Sequence, residues 1–153
     1  MTPSREALPE DVLDDGHCFA CGPKSDIGLR LRFAVTGEGR VRAQATLAQP
    51  FQGWAGVAHG GIVMTLLDEG MAHAAGAAGY RGVTGQISVR FRKPVPIGEP
   101  LFVDGSVVWK RGRVLGLEAH VSDAAQTLLA TGEGRFVARG RVEPGTLGVT
   151  NFG

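Results

Sequence analysis

Hydrophobic and polar residues alternate along most of the chain, which is the pattern of β-strands that bury one face. Two such runs, over residues 29–35 and 41–47, lie on either side of the turn-forming residues 36–39 and together predict a β-hairpin. Further alternating runs follow at residues 85–93, 101–109, 114–122 and 127–138. The pattern therefore predicts six strands, two in the first part of the chain and four in the second.

Residues 61–78 have a different pattern, because their apolar side chains cover nearly the whole circumference of a helix. These side chains are Ile62, Val63, Leu66, Leu67, Met71, Ala74 and Ala75. A helix of this kind is expected to be buried rather than half exposed. Gly76 and Gly79 are the residues predicted to end it.

The predicted order of two strands, one helix and four strands indicates an α+β fold, in which an antiparallel sheet curls around the helix. A chain of 153 residues is expected to form one domain with a sizeable core. We place this domain at residues 17–139, between a flexible N-terminal arm (1–16) and a flexible Gly/Pro-rich C-terminal tail (140–153).

The charge and the targeting signals exclude several classes of function. The net charge of +1 comes from basic and acidic residues that are mixed along the chain, so we expect no nucleic-acid partner. No apolar run approaches the roughly 20 residues of a membrane span, and the acidic N-terminus lacks the apolar stretch of a signal peptide. With two cysteines, Cys18 and Cys21, the chain fits a reducing compartment, and we expect it in the cytoplasm.

Asp68 is the residue that most needs an explanation. It falls in the middle of the predicted buried helix, where an ionised carboxylate costs several kcal/mol unless it is paired or useful. The simpler alternative is that Asp68 reaches solvent or hydrogen-bonds Thr65, one turn away. The sequence leaves both interpretations open.

The tripeptide His59-Gly60-Gly61 lies where a glycine-rich loop meets the helix. A helix start offers free N–H groups at the positive end of the dipole, and glycine allows a ligand to approach that backbone. Such a site suits a carbonyl oxygen that gains negative charge in a transition state.

Gly60 and Asp68 are too far apart on one helix to act on the same carbon atom. The rise between them is about 12 Å, at about 1.5 Å per residue. If both groups act on one carbon, they must come from two chains. We therefore expect two helices that run antiparallel across a two-fold axis and form two equivalent composite sites.

The residues quoted above also resemble a known family. The stretch GWAGVAHGGIVMTLLDEGMAHAA resembles the PaaI-like thioesterases of the hot-dog superfamily, which carry a His-Gly-Gly turn and, at this interval, a helical aspartate. The stretch VTGQISVRFRKPVPIGEPLFVDGSVV resembles their third strand and the segment after it. The resemblance covers roughly residues 17 to 138. It implies a sheet of five or six strands around one long helix, a homodimer or dimer of dimers, and hydrolysis of acyl-CoA without a cofactor or metal.

The resemblance also implies a role for individual residues. Gly60 or Gly61 would donate its N–H to the thioester oxygen, and Asp68 of the partner would act as nucleophile or general base. His59 would shape the turn by hydrogen bonds, and Thr84 would help to place the water or substrate. Many relatives have Asn or Gln a few residues before the His-Gly-Gly turn. Here Gly53 holds that position, so either the neighbouring Gln52 serves in substrate binding or the contact is absent.

Arginines are the candidate ligands for the phosphates of coenzyme A, because the guanidinium group binds phosphate through two hydrogen bonds. Arg92 lies on or beside the polar face of a predicted strand and Arg113 flanks a turn, and we take both as candidate substrate-binding residues. A solvated strand edge that resists aggregation would explain the same charges equally well.

The segment HCFACG at residues 17–22 invites a metal or redox interpretation. Structural zinc takes four ligands and only three are local, while a thioredoxin-like site would need a βαβ context that is missing. We therefore expect no metal here, and the cysteines to pack as small apolar residues. Glu69 and His73, four residues apart, are expected to pair on the helix.

Two alternatives to a thioesterase belong to different functional classes. A non-catalytic acyl-CoA-binding module would bind the ligand without turnover, but such a module gains nothing from a buried Asp68. An enoyl-CoA hydratase or dehydratase would pair a histidine with an acid for proton transfer, whereas His59 is placed in the turn.

Overall fold

The computed structural model describes residues 14–143. Its secondary structure follows the predicted order, with two strands, one helix and four further strands. The elements are β1 (Phe33–Gly37), β2 (Arg40–Thr46), α1 (Gly60–Ala77), β3 (Tyr80–Phe91), β4 (Pro100–Arg111), β5 (Val114–Asp123) and β6 (Leu128–Arg141). A short 3₁₀ turn, Gln49–Phe51, precedes the loop that leads into α1.

The six strands form one antiparallel sheet in the order β1-β2-β4-β5-β6-β3. Strand β3, which follows the helix in sequence, pairs with the last strand and thus forms one edge of the sheet. Helix α1 contacts all six strands. This arrangement confirms the predicted α+β class and is the hot-dog fold that the family resemblance implies.

The helix lies so close to the sheet that backbone meets backbone. A Cβ atom on Gly105 of β4 would overlap the carbonyl group of Gly70 in α1, so residue 105 has to be a glycine. Around this contact, Leu66, Leu67 and Met71 are almost completely buried against the sheet. Burial of these side chains from water is the main favourable contribution to the packing of helix on sheet.

The helix is less uniformly buried than its sequence suggests. Its C-terminal half is buried, including His73 and the run Ala74–Ala77. In the N-terminal half, however, Gly60, Gly61 and Met64 are exposed. The prediction of a helix buried on every side therefore holds for the second half only, and the first half presents one open face in the single chain.

The element boundaries differ from the predicted ones in two instructive places. Strand β3 begins at Tyr80, five residues before the predicted start, because irregular pairing with β6 at Arg81/Gly82 and Thr84/Gln86 interrupts the alternation. Gly76 does not end the helix, as we expected, but lies inside it and is buried. Gly79, with φ of +97°, follows the C-cap and is the glycine that terminates the helix.

Strand β6 continues to Arg141, and the Val142 N–H donates to the carbonyl of Gly79. The described structure thus reaches past residue 139, where the domain was predicted to end. Residues 1–13 of the predicted arm and 144–153 of the predicted tail lie outside the described residues. Within residues 14–143, no helix is both long and apolar enough to cross a membrane.

The contact between Gly70 and Gly105 gives a stability prediction. Gly105→Ala should lower the free energy of unfolding by about 1–3 kcal/mol, because the added methyl group forces the helix away from the sheet. Gly37→Ala in β1 is the matched control: its nearest neighbour would be the Arg40 side chain at 3.6 Å, so the change should stay within about 0.5 kcal/mol. Urea denaturation measures both variants, and equal effects would contradict the role of the contact.

Candidate active site

The start of helix α1 is held by its own capping residue. His59 is the N-cap, and its Nδ1 accepts a hydrogen bond from the Gly61 N–H at 2.9 Å. Because Nδ1 acts as an acceptor, a neutral His59 ring carries its proton on Nε2. The predicted role of His59 in shaping the turn thus has a definite structural counterpart, since this bond fixes the first turn of the helix.

The hydrogen bond from Gly61 to His59 also distinguishes the two candidate glycines. The Gly61 N–H is occupied by His59, whereas the Gly60 N–H has no acceptor within residues 14–143. Gly60 is exposed and borders a cleft between the helix start and the end of β3. The cleft is lined by Val57, Ala58, Gly60, Val63, Phe91, Arg92, Lys93, Pro94 and Val95. Of the two glycines, Gly60 is therefore the one that can donate to a ligand.

Asp68 is half-buried and pairs with the edge strand. The Thr84 hydroxyl donates to Asp68 Oδ1 at 2.6 Å, while the Thr65 hydroxyl donates to the Gly61 carbonyl instead. The simpler alternative, in which Asp68 bonds Thr65, is thus not the arrangement found. Burial raises the pKa of Asp68, the Thr84 hydrogen bond opposes this shift, and the nearby charge of Glu69 adds to it.

Gly60, Met64 and Asp68 lie on one face of the helix, because they are spaced four residues apart. This face contains the exposed part of the helix and lies beside strand β3. Gly60 and Asp68 remain separated by about 12 Å of helical rise. One chain therefore presents a free N–H at one end of the face and a carboxyl group at the other.

The loop before the helix places Gln52 and Gly53. The Gln52 side-chain Oε1 accepts a hydrogen bond from the Gly56 N–H at 3.2 Å, so part of its amide stabilises the loop. Gly53 lies against the backbone of His59, where an added Cβ would come within 3.3 Å of the His59 Cα. The loop is thus folded tightly against the capping residue.

The structure places the two candidate arginines apart. Arg92 follows β3 and lines the cleft beside Gly60. Arg113 lies in the β4–β5 turn, and its neighbour Val114 is level with Val137 and Val83 at the other end of β3. Within one chain, Arg92 therefore lies at the end of β3, whereas Arg113 is level with the start of β3 and separated from it by β6.

His17 does not join Cys18 and Cys21 in a set of three local ligands. His17 turns outward and lies 3.5 Å from Asp15, whereas Cys18 and Cys21 approach Glu69 on the helix. A hydrogen bond from Cys21 lowers the pKa of Cys18 to about 6, and the same bond raises the pKa of Cys21. The expected pair of Glu69 and His73 is confirmed, with 3.4 Å between the carboxylate and the imidazole.

Two residues near the site were not singled out from the sequence. The Phe91 ring lies beside Gly60, 3.7 Å from where a Cβ would be, and lines the same cleft. Trp54, in the loop before the helix, is 85% exposed. The available signals were an aromatic residue at the end of a strand and a large apolar residue in a Gly-rich loop, and both signals are weak.

Comparison with known proteins identifies the superfamily and the fold. The family profile described as "Thioesterase superfamily" matches residues 55–130, which include the helix start, Asp68 and Thr84. A crystal structure of a thioesterase superfamily protein has 29% identity and a TM-score of 0.76, over 86% of this chain and 70% of the other. The chain therefore belongs to the thioesterase superfamily of hot-dog proteins. No curated protein matches the sequence.

Two more distant structures share the fold. The PaaI protein of E. coli, from the phenylacetic acid degradation operon, has 19% identity and a TM-score of 0.69, over 74% of this chain and 83% of its own. A hypothetical thioesterase from Streptococcus pneumoniae, with coenzyme A, has 18% identity and a TM-score of 0.67, over 72% and 91%. Variants of that protein carry an Asp-to-Ala or a Thr-to-Ala substitution at positions sixteen residues apart.

The hydrogen bond between Thr84 and Asp68 gives a prediction about ionisation. Thr84→Val should raise the pKa of Asp68, because it removes the bond that stabilises the ionised carboxylate. Thr65→Val is the control, since the Thr65 hydroxyl bonds the Gly61 carbonyl and should leave this pKa unchanged. Titration of the Asp68 carboxyl carbon by NMR measures both variants. The same pKa in Thr84→Val and in the unaltered protein would contradict the role of the bond.

Proposed function

We propose that this protein is an acyl-CoA thioesterase whose active sites lie between two subunits. The observation that carries the proposal is the separation of two groups on one open helix face. A free N–H at Gly60 and a half-buried carboxyl group at Asp68 lie about 12 Å apart along α1. Within one chain, the two groups are too far apart to contact the same substrate carbonyl. A second, antiparallel helix would bring Gly60 of one chain close to Asp68 of the other.

The edge strand supports assembly into a dimer. Strand β3 has twelve residues, most of them exposed, and among residues 14–143 it pairs with β6 alone. An open edge of this length is a template for pairing with a second strand. Pairing of two β3 strands across a two-fold axis would also cover the exposed Met64 and Phe91. A homodimer of this kind, or a dimer of such dimers, is the assembly that we propose.

In each composite site, the Gly60 N–H of one chain binds the carbonyl oxygen of the thioester. Negative charge develops on this oxygen as the carbonyl carbon becomes tetrahedral, and the helix dipole stabilises it further. His59 contributes indirectly, because it occupies the Gly61 N–H and fixes the turn in which Gly60 is presented. Gly60 is therefore our candidate for the principal oxyanion donor.

Asp68 of the other chain faces the same carbonyl carbon. As a nucleophile, its carboxylate adds to the carbon, expels the thiolate of coenzyme A and leaves an anhydride that water then hydrolyses. As a general base, it accepts a proton from water while the water oxygen adds to the carbon. Either route yields a carboxylic acid and the thiol. The Thr84 hydroxyl, held 2.6 Å from Oδ1, orients the carboxylate in both routes.

The same assembly gives each of the remaining candidates a place around the substrate. Antiparallel pairing of two β3 strands would bring Arg113 of one chain towards the partner subunit's Arg92, so that both could bind phosphates of coenzyme A. Gln52 keeps its amide NH₂ free of the Gly56 bond and can donate to the substrate from the loop. The chemistry requires no cofactor, and the cytoplasm, where acyl-CoA is available, is the proposed location.

The compared structures support the proposal in two respects. The Streptococcus pneumoniae neighbour is described with coenzyme A, which is the carrier in the proposed substrate. In its variants, the substituted Asp and Thr are sixteen residues apart, which is also the interval between Asp68 and Thr84. Both correspondences favour acyl-CoA as the substrate and this pair as part of the reacting centre.

Asp68→Asn should lower kcat by about 10²–10⁴-fold, because the amide neither attacks nor accepts a proton. The variant should also be more stable at neutral pH. The folded-state pKa of Asp68 is raised, so the ionised carboxylate favours unfolding once the pH exceeds the unfolded value, and Asn removes that cost. Thiol release from a panel of acyl-CoA esters, together with urea denaturation, measures both effects. An undiminished rate on every ester would exclude Asp68 from the reaction.

A second experiment tests the composite site. Gly60→Pro removes the N–H while preserving the fold, because proline is favoured at the first helical position and the extended His59 (ψ 137°) is compatible with a following proline. The control, Gly60→Ala, retains the N–H. Gly60→Pro should lower kcat by about 10²–10³-fold, and substantially more than Gly60→Ala does.

Mixing the two inactive variants, Gly60→Pro and Asp68→Asn, should then restore activity. Half of the randomly formed dimers are mixed, and each mixed dimer has one intact site, so about a quarter of the wild-type activity is expected. The variants are unfolded and refolded together to exchange subunits, and each variant refolded alone is the control. Activity that never exceeds the sum of the two controls would place the site within one chain and contradict the proposal.

A further inference from the structure

The cysteine segment at residues 16–31 lacks helix and strand, yet its backbone is tightly held. The Lys24 N–H donates to Gly16, the Leu29 N–H to Phe19, and the Leu31 N–H to Ala20. A Cβ on Gly22 would overlap the backbone of both Cys18 and Gly16, so the turn that carries the two cysteines closes without space for a side chain. The turn is therefore a preformed support for the two thiols.

Helix α1 brings a third ligand to this turn. The two Sγ atoms and a Glu69 carboxylate oxygen all lie within 4.8 Å of one another, and Cys18 Sγ is 3.9 Å from Glu69 Oε1. Ligand atoms around a tetrahedral zinc ion are about 3.5–3.8 Å apart, given Zn–S of about 2.3 Å and Zn–O of about 2.0–2.2 Å. Small side-chain movements would thus bring all three atoms to bonding distance.

The surroundings resemble those of a built metal site. Cys21 is 7% exposed, and the Glu69 side chain is 14% exposed. The second carboxylate oxygen of Glu69 lies 3.4 Å from Nε2 of His73, whose buried ring stacks on Phe33. A carboxylate that binds a metal is commonly oriented by such a partner. His73 therefore fixes the direction in which Glu69 points.

We propose that Cys18, Cys21 and Glu69 bind a zinc ion that joins the N-terminal segment to helix α1. Two thiolates select a soft or borderline cation, and Cys-x-x-Cys is the usual spacing of a zinc-binding turn. A carboxylate completes three protein ligands, and water takes the fourth position. From the sequence, the local ligands to consider were His17, Cys18 and Cys21. In the structure His17 faces outward, and the third ligand is Glu69, which is 51 residues away from Cys18. The site uses none of the groups proposed to contact the thioester, although Glu69 is the neighbour of Asp68 on the helix.

The test uses the full-length protein, purified without chelator and under reducing conditions. Elemental analysis should find about one zinc per chain. After removal of the metal, titration with Co²⁺ should give thiolate-to-cobalt charge-transfer absorption and the visible bands of a tetrahedral site. Cys18→Ser and Cys21→Ser should lose these bands, and Glu69→Gln should bind zinc about 10-fold or more weakly. His17→Ala is the matched control and should bind as the unaltered chain does.

A measurement on the unaltered protein keeps the test informative if a cysteine variant fails to fold. Zinc should slow the alkylation of both thiols by a maleimide reagent and raise Tm, whereas Mg²⁺ should do neither. The proposal is overturned if the reduced chain binds no zinc in these assays. It is equally overturned if His17→Ala abolishes binding, or if the purified protein holds a Cys18–Cys21 disulfide whose reduced form has no affinity for zinc.

Discussion

The close contact between Gly70 and Gly105 determines how deep the helix lies in the sheet, and the rest of the site depends on that depth. Successive helical residues are about 100° apart, so Asp68 lies on the side of α1 opposite Gly70. Packing Gly70 against β4 therefore turns Asp68 towards β3, where the Thr84 hydroxyl meets it. A larger residue at either glycine would move the carboxyl group away from the edge strand, together with the helix start that carries Gly60.

The half-buried position of Asp68 costs stability, and in the proposed reaction the same environment makes its carboxylate a stronger base. Removal from water raises its pKa and makes the carboxylate more basic than it would be at the surface, while the Thr84 hydrogen bond keeps it oriented. Proteins commonly accept such local strain where chemistry requires it. The helix start is ordered as well, because His59 accepts the Gly61 N–H and leaves the Gly60 N–H available to a ligand. Both ends of the helix face are thus ordered in the absence of a ligand, as the proposed reaction requires.

The sequence predicted the element order and the helix, because both depend on local periodicity, and its spacing singled out Asp68 and the His-Gly-Gly turn as the candidate site. It missed Tyr80–Thr84 of β3, where bulges break the alternation, and it misassigned Gly76, which is buried inside the helix. It also could not distinguish Gly60 from Gly61, since the hydrogen bond to His59 decides that choice. Glu69 could not be joined to the cysteines, because only the fold brings such distant residues together.

The position of β3 in the sheet has a consequence for how the chain acquires its structure. The only strand that pairs with β3 inside the described chain is β6, the last to be synthesised. Until β6 leaves the ribosome, β3 has no partner among the described strands, and the sheet cannot close beside the helix. Non-local pairing of this kind folds slowly and leaves strand edges open to aggregation. Arg81 and Arg90 place positive charge along β3, and such charge on an unpaired strand opposes aggregation before β6 is synthesised.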